Sequence, residues 1–359
     1  MRRISSFLKQ EAFKLVTWLL FYSGALKIFT YVSSKFRPKA QHKGKIVFPF
    51  LQKKKVRNLQ ILAYHRVNDD HDPFFPALST ERFARQMEYL SANWMPLSLQ
   101  EAVQRLGHND LPDRTVVVTF DDGYRDNFLY AYPILQRYGI PATIFLASGA
   151  IGSNRMIWHD RVFRAFRKTK VPMLEDVPGI EKRFPVRTVE EKRFAQARVL
   201  QLLWELTDEA RLDRINRLEE RLSVEGEERS AGLMLHWGEV LAMSAGNISF
   251  GSHTISHPIL SKISECRLRE EIVESKKVIE SKIRGPVTGF AYPVGRKQDF
   301  NDQVKAIVRE AGYQCAVTTI FGVNEADQDP FELRRGTPWE TDISSFAAKL
   351  SWYKFVGNG

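Results

Sequence analysis

Two adjacent carboxylates, Asp121 and Asp122, end the apolar run Val116-Val117-Val118-Thr119-Phe120 and precede Gly123 and Tyr124. Neighbouring acids repel unless a cation or a shared proton compensates them. Side chains of consecutive residues diverge, so one carboxylate can take a cation while the other does separate work. Alone, the pair is equally compatible with a solvated Asp-Asp-Gly turn. A second strand-like stretch, Ile248-Ser249-Phe250-Gly251-Ser252, runs into His253-Thr254-Ile255-Ser256-His257-Pro258. Two imidazoles four residues apart fall on one side of a helical turn, near enough to share an ion. Pro258 disfavours helix at His257, so one tight turn is expected there. By itself the spacing also suits two loop histidines with no common partner. Two histidines plus one carboxylate, with a position left open for water, form a catalytic zinc-type ligand set.

A third strand end, Gly289-Phe290-Ala291-Tyr292-Pro293-Val294-Gly295, closes in a Pro-x-Gly turn that can aim a backbone N–H into a site. At these three places the chain resembles the polysaccharide deacetylases, carbohydrate esterase family four, with their nodulation-protein-B-like domain. Thr119-Phe120-Asp121-Asp122-Gly123 is similar to the family's first motif and His253-Thr254-Ile255-Ser256-His257 to its second. Tyr292-Pro293-Val294-Gly295 looks like a divergent third, and the resemblance runs from about Ile61 to about Arg335. It implies that Asp122, His253 and His257 hold a divalent metal and that Asp121 is the general base. It places the backbone N–H of Tyr292 against the oxyanion. Tyr124, Pro293 and Trp158, beside or between the motifs, are expected to touch the substrate. Zinc is the first expectation for the metal, and iron, cobalt or manganese suit the same ligands.

Two positions depart from the family pattern. Phe290 stands where the third motif often carries an arginine near the base, and no histidine follows His257 to supply the family's late proton donor. His65, at the end of the apolar run Ile61-Leu62-Ala63-Tyr64, is the first substitute; a histidine bonded to a neighbouring loop is the competing reading. His159, between Trp158 and Asp160, comes second, and His236 beside Trp237 third.

Ligands at several strand ends need a sheet whose carboxyl ends converge. From Gln60 onward apolar runs alternate with amphipathic stretches. Strands are predicted at Leu59–Tyr64, Met95–Leu97, Thr115–Phe120, Ala142–Leu146, Ile248–Gly251, Val287–Tyr292 and Tyr313–Thr318. Helices are predicted between them, such as Ser79–Asn93 and Ser264–Ile283. This βαβ order predicts a parallel sheet. The resemblance specifies a distorted (β/α)7 TIM-like barrel. Glu-, Arg- and Leu-rich sequence over residues 160–235 predicts an inserted helical segment, a solvated face or a lid over the strand ends. The full division is an N-terminal helix over 1–32, a linker over 33–58, a catalytic domain over 59–345 and a tail over 346–359.

A chain of 359 residues with 43% hydrophobic content can bury one large core. Its formal charge of +11 suits an acidic partner such as anionic lipid or glycan. No basic-aromatic motif points to nucleic acid, and none is expected as a partner. Two cysteines make no disulfide framework. Leu15–Leu26, bounded by Lys14 and Lys27, is far below the roughly 20 apolar residues needed to span a bilayer. An export signal, a helix lying in an anionic membrane surface and a helix packed on the domain all fit this segment. A cell-envelope or membrane-associated location is expected, with a cytoplasmic one open. The expected activity is metal-dependent removal of N-acetyl groups from amino sugars of a cell-surface or exported polysaccharide. The alternative is a catalytically weakened glycan-binding protein on the same scaffold.

Overall fold

The computed structural model describes residues 57–177, 179, 183–224, 232–338 and 342–356. The expected N-terminal helix and nearly all of the linker lie outside the described residues. Six strands form a continuous parallel path in the order β1 (Gln60–Tyr64), β3 (Thr115–Phe120), β4 (Ala142–Leu146), β7 (Ile248–Ser252), β8 (Gly289–Ala291) and β9 (Cys315–Val317). The two-residue β2 (Met95–Pro96) pairs with the start of β3. The sheet curls into the half-barrel of a distorted (β/α)7 fold. Helices α1 (Thr80–Asn93), α2 (Leu99–Gly107), α3 (Tyr132–Tyr138), α8 (Glu265–Ile283) and α9 (Asp302–Glu310) connect the strands. Ser79 caps α1 by accepting from the Arg82 amide, and Ser264 caps α8 the same way from Arg267.

An extended segment at Leu333–Gly336 bridges the two ends of the path. The Leu333 amide donates to Ala316 and its carbonyl accepts from Thr318, while Gly336 exchanges hydrogen bonds with Ile61 and Ala63. Extended segments this short carry too little periodicity to be read as strands.

Strand alternation decides what faces the concave side. Leu59 just before β1, Ile61 of β1, Val117 of β3, Phe145 of β4, Ala291 of β8, Cys315 and Val317 of β9 and Leu333 form one buried cluster with Leu99, Ala102 and Leu106 of α2. The alternate residues Leu62 and Tyr64, Val116, Val118 and Phe120, Ile144 and Leu146 pack outward against helices. Gly251 belongs to the inner set: a Cβ there would sit 2.4 Å from the Phe145 ring, so glycine makes room for it. Continuing the inner period of two past each strand end reaches His65, Asp121 and His253.

Between β4 and β7 lies the insert: α4 (Trp158–Lys168), a hairpin of β5 (Met173–Leu174) and β6 (Phe184–Pro185), α5 (Val189–Glu205), α6 (Asp208–Arg221) and α7 (Trp237–Ser244). The hairpin is an addition to the all-helical expectation; its strands are too short to show alternation. Where a tail was expected from residue 346, α10 (Ile343–Val356) buries Phe346, Ala347 and Leu350, and Gln60 donates to the Leu350 carbonyl. Among the described residues no helix is long and apolar enough to cross a membrane.

Candidate active site

Asp121 continues the inner face of β3, and its carboxylate is almost fully buried. Arg335 meets it with two parallel hydrogen bonds, Nη1 to Oδ1 at 2.8 Å and Nη2 to Oδ2 at 2.7 Å. The guanidinium is itself fixed, with Nε on the Thr318 carbonyl (2.8 Å) and Nη1 also on Thr119 Oγ1 (3.1 Å). Burial alone would raise the Asp121 carboxyl. The charge and hydrogen bonds of Arg335, with smaller help from His253 and His65, overcome it and hold the group well below the usual carboxylate range. This answers the departure at Phe290, which is a core side chain packed edge-on to Tyr292 and Tyr313. The arginine beside the base comes from the barrel-closing segment instead. Its only sequence trace is the doublet Arg334-Arg335 before Gly336.

Asp122 leaves the strand with φ 72°, which turns its side chain away from Asp121. Its Oδ1 lies 3.5 Å from His253 Nε2 and 3.4 Å from His257 Nε2, and one ligand atom from each residue falls within 4.8 Å of the others. That buried oxygen has no hydrogen-bond partner among the described residues. Burial, then the charges of Asp121 and Asp160, push the Asp122 carboxyl well above its ordinary value. Burial also lowers His253 to about 4 and His257 well below its ordinary value, so both imidazoles are neutral. His253 Nδ1 lies 2.8 Å from the Ala291 carbonyl, which fixes that proton and leaves Nε2 free as a ligand atom. An orphaned carboxylate oxygen facing two neutral imidazoles fits a divalent cation of the zinc type.

The histidine pair reaches this geometry without a helical turn. Thr254 (φ 69°) and His257 (φ 60°) are left-handed, and the His257 amide donates to Thr254 Oγ1 at 3.0 Å. The tight turn expected from Pro258 is present, but left-handed backbone, rather than helical spacing, brings the rings to 4.7 Å.

Three side chains expected at the substrate face are buried instead. Tyr124 is fully buried; its hydroxyl donates to Asp160 Oδ1 at 3.0 Å and lies 3.0 Å from His159 Nε2. Trp158 is 4% exposed and donates Nε1 to the His257 carbonyl at 3.1 Å. Pro293 is also buried, its carbonyl accepting from Gly295. The expected oxyanion donor changes too. The Tyr292 amide donates to the Val317 carbonyl at 3.2 Å, and its hydroxyl to Phe331, so neither is free for a ligand. Two residues on, Val294 holds φ 61°, and its amide has no acceptor among the described residues. A β-branched residue at positive φ is a true outlier, and such strain concentrates at functional sites.

His65 projects from the end of β1 with Nε2 3.9 Å from Asp121 Oδ2 and a side chain 30% exposed. Burial lowers its pKa, partly offset by Asp121. His159 stands on the other side, Nε2 3.8 Å from Asp122 Oδ2, and burial lowers it to about 3. Asp160, behind it, is pushed up by burial to about 7. His236 lies apart from the site, exposed at the start of α7.

Residues 108–316, more than half of the chain, match the family model described as polysaccharide deacetylase. Over 288 residues the chain is 25% identical to YxkH of Bacillus subtilis, which carries the provisional name of a polysaccharide deacetylase; the match covers 80% of this chain and 73% of that one. A match of 84 residues at 33% identity links 23% of this chain to 12% of the poly-beta-1,6-N-acetyl-D-glucosamine N-deacetylase of Escherichia coli. Among solved structures, the deacetylase PplD of Streptococcus pyogenes aligns with a TM-score of 0.54 at 20% identity, over 79% of this chain and 92% of that chain, a likeness of fold. A barrel with these strand-end motifs, matched over most of its length, leaves one assignment: the chain belongs to the polysaccharide deacetylase family.

Proposed function

We propose that this deacetylase is a metal-dependent hydrolase that removes N-acetyl groups from amino sugars of a cell-surface or exported polysaccharide. The observation that carries this is the division of Asp121 and Asp122, one paired with Arg335 and the other holding an unpartnered Oδ1 before two neutral imidazoles. Asp122, His253 and His257 would hold the cation, zinc in the first instance. When bound, it would supply Lewis-acid polarisation of the acyl carbonyl and a water of lowered pKa.

The chain's own groups do the rest. Arg335 uses one lone pair on each Asp121 oxygen, which leaves others to receive a proton from the attacking water. Because Arg335 keeps Asp121 ionised, the base is ready at neutral pH. The Val294 amide is assigned to the negative charge that develops on the acyl oxygen. Breaking the C–N bond leaves an amine nitrogen that needs a proton. His65 is assigned that step: neutral at rest, it takes the proton that Asp121 has received from the attacking water and passes it to the nitrogen, which leaves Asp121 ionised again. The products are acetate and the free amino sugar.

The substrate reading draws support from the segment shared with the poly-beta-1,6-N-acetyl-D-glucosamine N-deacetylase. The deciding experiment is acetate release by protein loaded with zinc, cobalt, manganese or iron, offered β-1,6- and β-1,4-linked N-acetylglucosamine oligomers and peptidoglycan fragments. Acetate is expected from at least one glycan and only with metal present; silence across the panel would sink the proposal. The basic start and Leu15–Leu26 support a place at an anionic membrane surface in the cell envelope. Fractionation of cells expressing the chain with and without residues 1–32 tests it; an unchanged soluble fraction would reject it.

A further inference from the structure

Two links run from the insert to the turn that carries His253 and His257, one buried and one passing through the part-exposed Arg267. The first begins at Arg211 on α6, whose guanidinium is wholly buried. Its Nε and Nη2 donate to the carbonyls of Leu203 (3.0 Å) and Leu206 (2.8 Å) at the α5–α6 elbow, and Nη1 to Asp208 Oδ1 (2.7 Å). So anchored, the cation sits 5.3 Å over the Trp158 ring, the face of the indole that donates to the His257 carbonyl. The second link begins at the other oxygen of Asp208, 2.7 Å from Arg267 Nη2 on α8. Arg267 Nη2 lies 3.8 Å from Glu271 Oε1. Glu271 is 4% exposed and spends its carboxylate on the turn. Its Oε2 accepts the amides of Ile255 (2.8 Å) and Ser256 (2.9 Å), and Oε1 accepts the Ser256 hydroxyl.

These contacts fall where the turn most needs them. The amides of Ile255 and Ser256 follow left-handed Thr254 and point together, a concavity that a carboxylate fills well. His257, at the far end, is left-handed as well. Two strained residues within four positions persist only where the surroundings over-determine the backbone. Glu271 grips the middle of the turn and Trp158 its end, and both grips trace back to Asp208.

We propose that Glu271, Asp208 and Arg211 are positioning residues that hold the His253–His257 turn in its cation-binding shape, so that the insert is a structural part of the metal site. This rests on the reading of Asp122, His253 and His257 as the metal ligands.

The test is titration of metal-free, full-length protein with Co2+, followed by its absorption, and with Zn2+ against a chromophoric chelator. Thermal melting of each metal-free variant is measured alongside. Glu271→Ala and Asp208→Asn should raise the metal Kd roughly ten- to a hundredfold, the usual effect of losing a partner that orients a ligand. Glu271→Gln, which keeps an acceptor oxygen for the two amides, should restore most of the affinity. Leu218→Ala, in the insert core but in neither link, should lower the melting temperature and leave Kd within about twofold. If Glu271→Ala fails to fold, Asp208→Asn and Glu271→Gln carry the same comparison. Variants that melt lower yet bind metal like the wild type would overturn this inference alone, as would equal weakening by Leu218→Ala. A wild-type protein that takes up neither ion would overturn the metal reading and this inference together.

Discussion

The two sides of the strand-end cleft solve the same electrostatic problem differently. On the base side, Asp121 is buried and compensated within the chain by a bidentate Arg335. On the metal side, Asp122 is equally buried and adjacent in sequence, but no guanidinium pairs with it among the described residues; neutral imidazoles and a second acid, Asp160, stand near it. One carboxylate is therefore held ionised and the other driven towards its protonated form until a cation arrives. A base must be charged before substrate binds, whereas a ligand gains its compensation with the metal. The left-handed φ at Asp122 makes the difference possible by turning two consecutive side chains into separate environments.

Breaking each side in turn gives the largest expected effects. Asp122→Asn should abolish metal uptake and activity together. Asp121→Asn should lower kcat by roughly 10²–10⁴-fold, the usual worth of a positioned base, while metal binding stays near wild type. Metal titration beside acetate release separates the two outcomes. Loss of metal binding in both variants would show that the division of labour is wrong.

Removing Arg335 sharpens the same contrast, because it leaves the base as uncompensated as Asp122. Arg335→Met should destabilise the protein by roughly 3–5 kcal/mol, the cost of stranding one partner of a buried pair. In the wild type Asp121 is depressed, so its stabilising contribution is present above the unfolded carboxylate value of about 3.9 and is lost as pH falls through its lower folded value. Without Arg335, burial dominates and raises the carboxyl. The acid limb of the kcat/KM profile should then move to higher pH. An acid limb that stays in place would reduce Arg335 to a brace for the closing segment.

What could be read from the sequence follows the same line. Asp121, Asp122, His253 and His257 were legible because each ends or follows an apolar run, and parallel strands bring such ends together. Arg335 was not, because it arrives on a bridging segment with no periodicity, beside an equally basic Arg334. Tyr124 and Trp158 read as substrate contacts because aromatics beside a motif commonly line a cleft. Only the packing of α4 shows them buried, bonded to Asp160 and to the His257 carbonyl. The Tyr292 amide is spent for a simpler reason: it still pairs with β9 through the Val317 carbonyl, and Pro293 has no N–H, which passes the free amide to Val294. Expected boundaries at Val287–Tyr292 and Tyr313–Thr318 shrink to Gly289–Ala291 and Cys315–Val317, since loop bonds take up the flanks.

The two histidines flanking the acid pair should differ in the same way as the acids. His65→Gln removes the group assigned to proton delivery and should lower kcat by about a hundredfold, the low end for general acid–base groups. His159 lies beside Asp122 rather than the base Asp121 and is engaged with Tyr124, so it is not placed to relay the base's proton, and His159→Gln should cost less than tenfold in kcat. Steady-state rates of the two variants at saturating metal decide. Equal losses would return His159 to consideration as the donor.

The smallest effect tests the strain at Val294. Left-handed backbone at a β-branched residue costs about 1–3 kcal/mol, which glycine avoids, while glycine adds about 0.5–1 kcal/mol of unfolded-chain freedom. Val294→Gly should therefore stabilise the protein by about 1 kcal/mol, a rise of a few degrees in Tm. Its amide is retained, so kcat should fall no more than the loosened turn requires, by only a few fold. Gly295 beside it cannot absorb the strain instead. It is itself left-handed, and a Cβ there would come within 2.9 Å of the Tyr292 carbonyl. A Tm that rises while kcat falls would mean that the valine holds the turn rigid at the expense of stability. A Tm that does not rise would place the strain elsewhere, and Asp122, Thr254 and His257, all left-handed on the metal side, would be the next positions to examine.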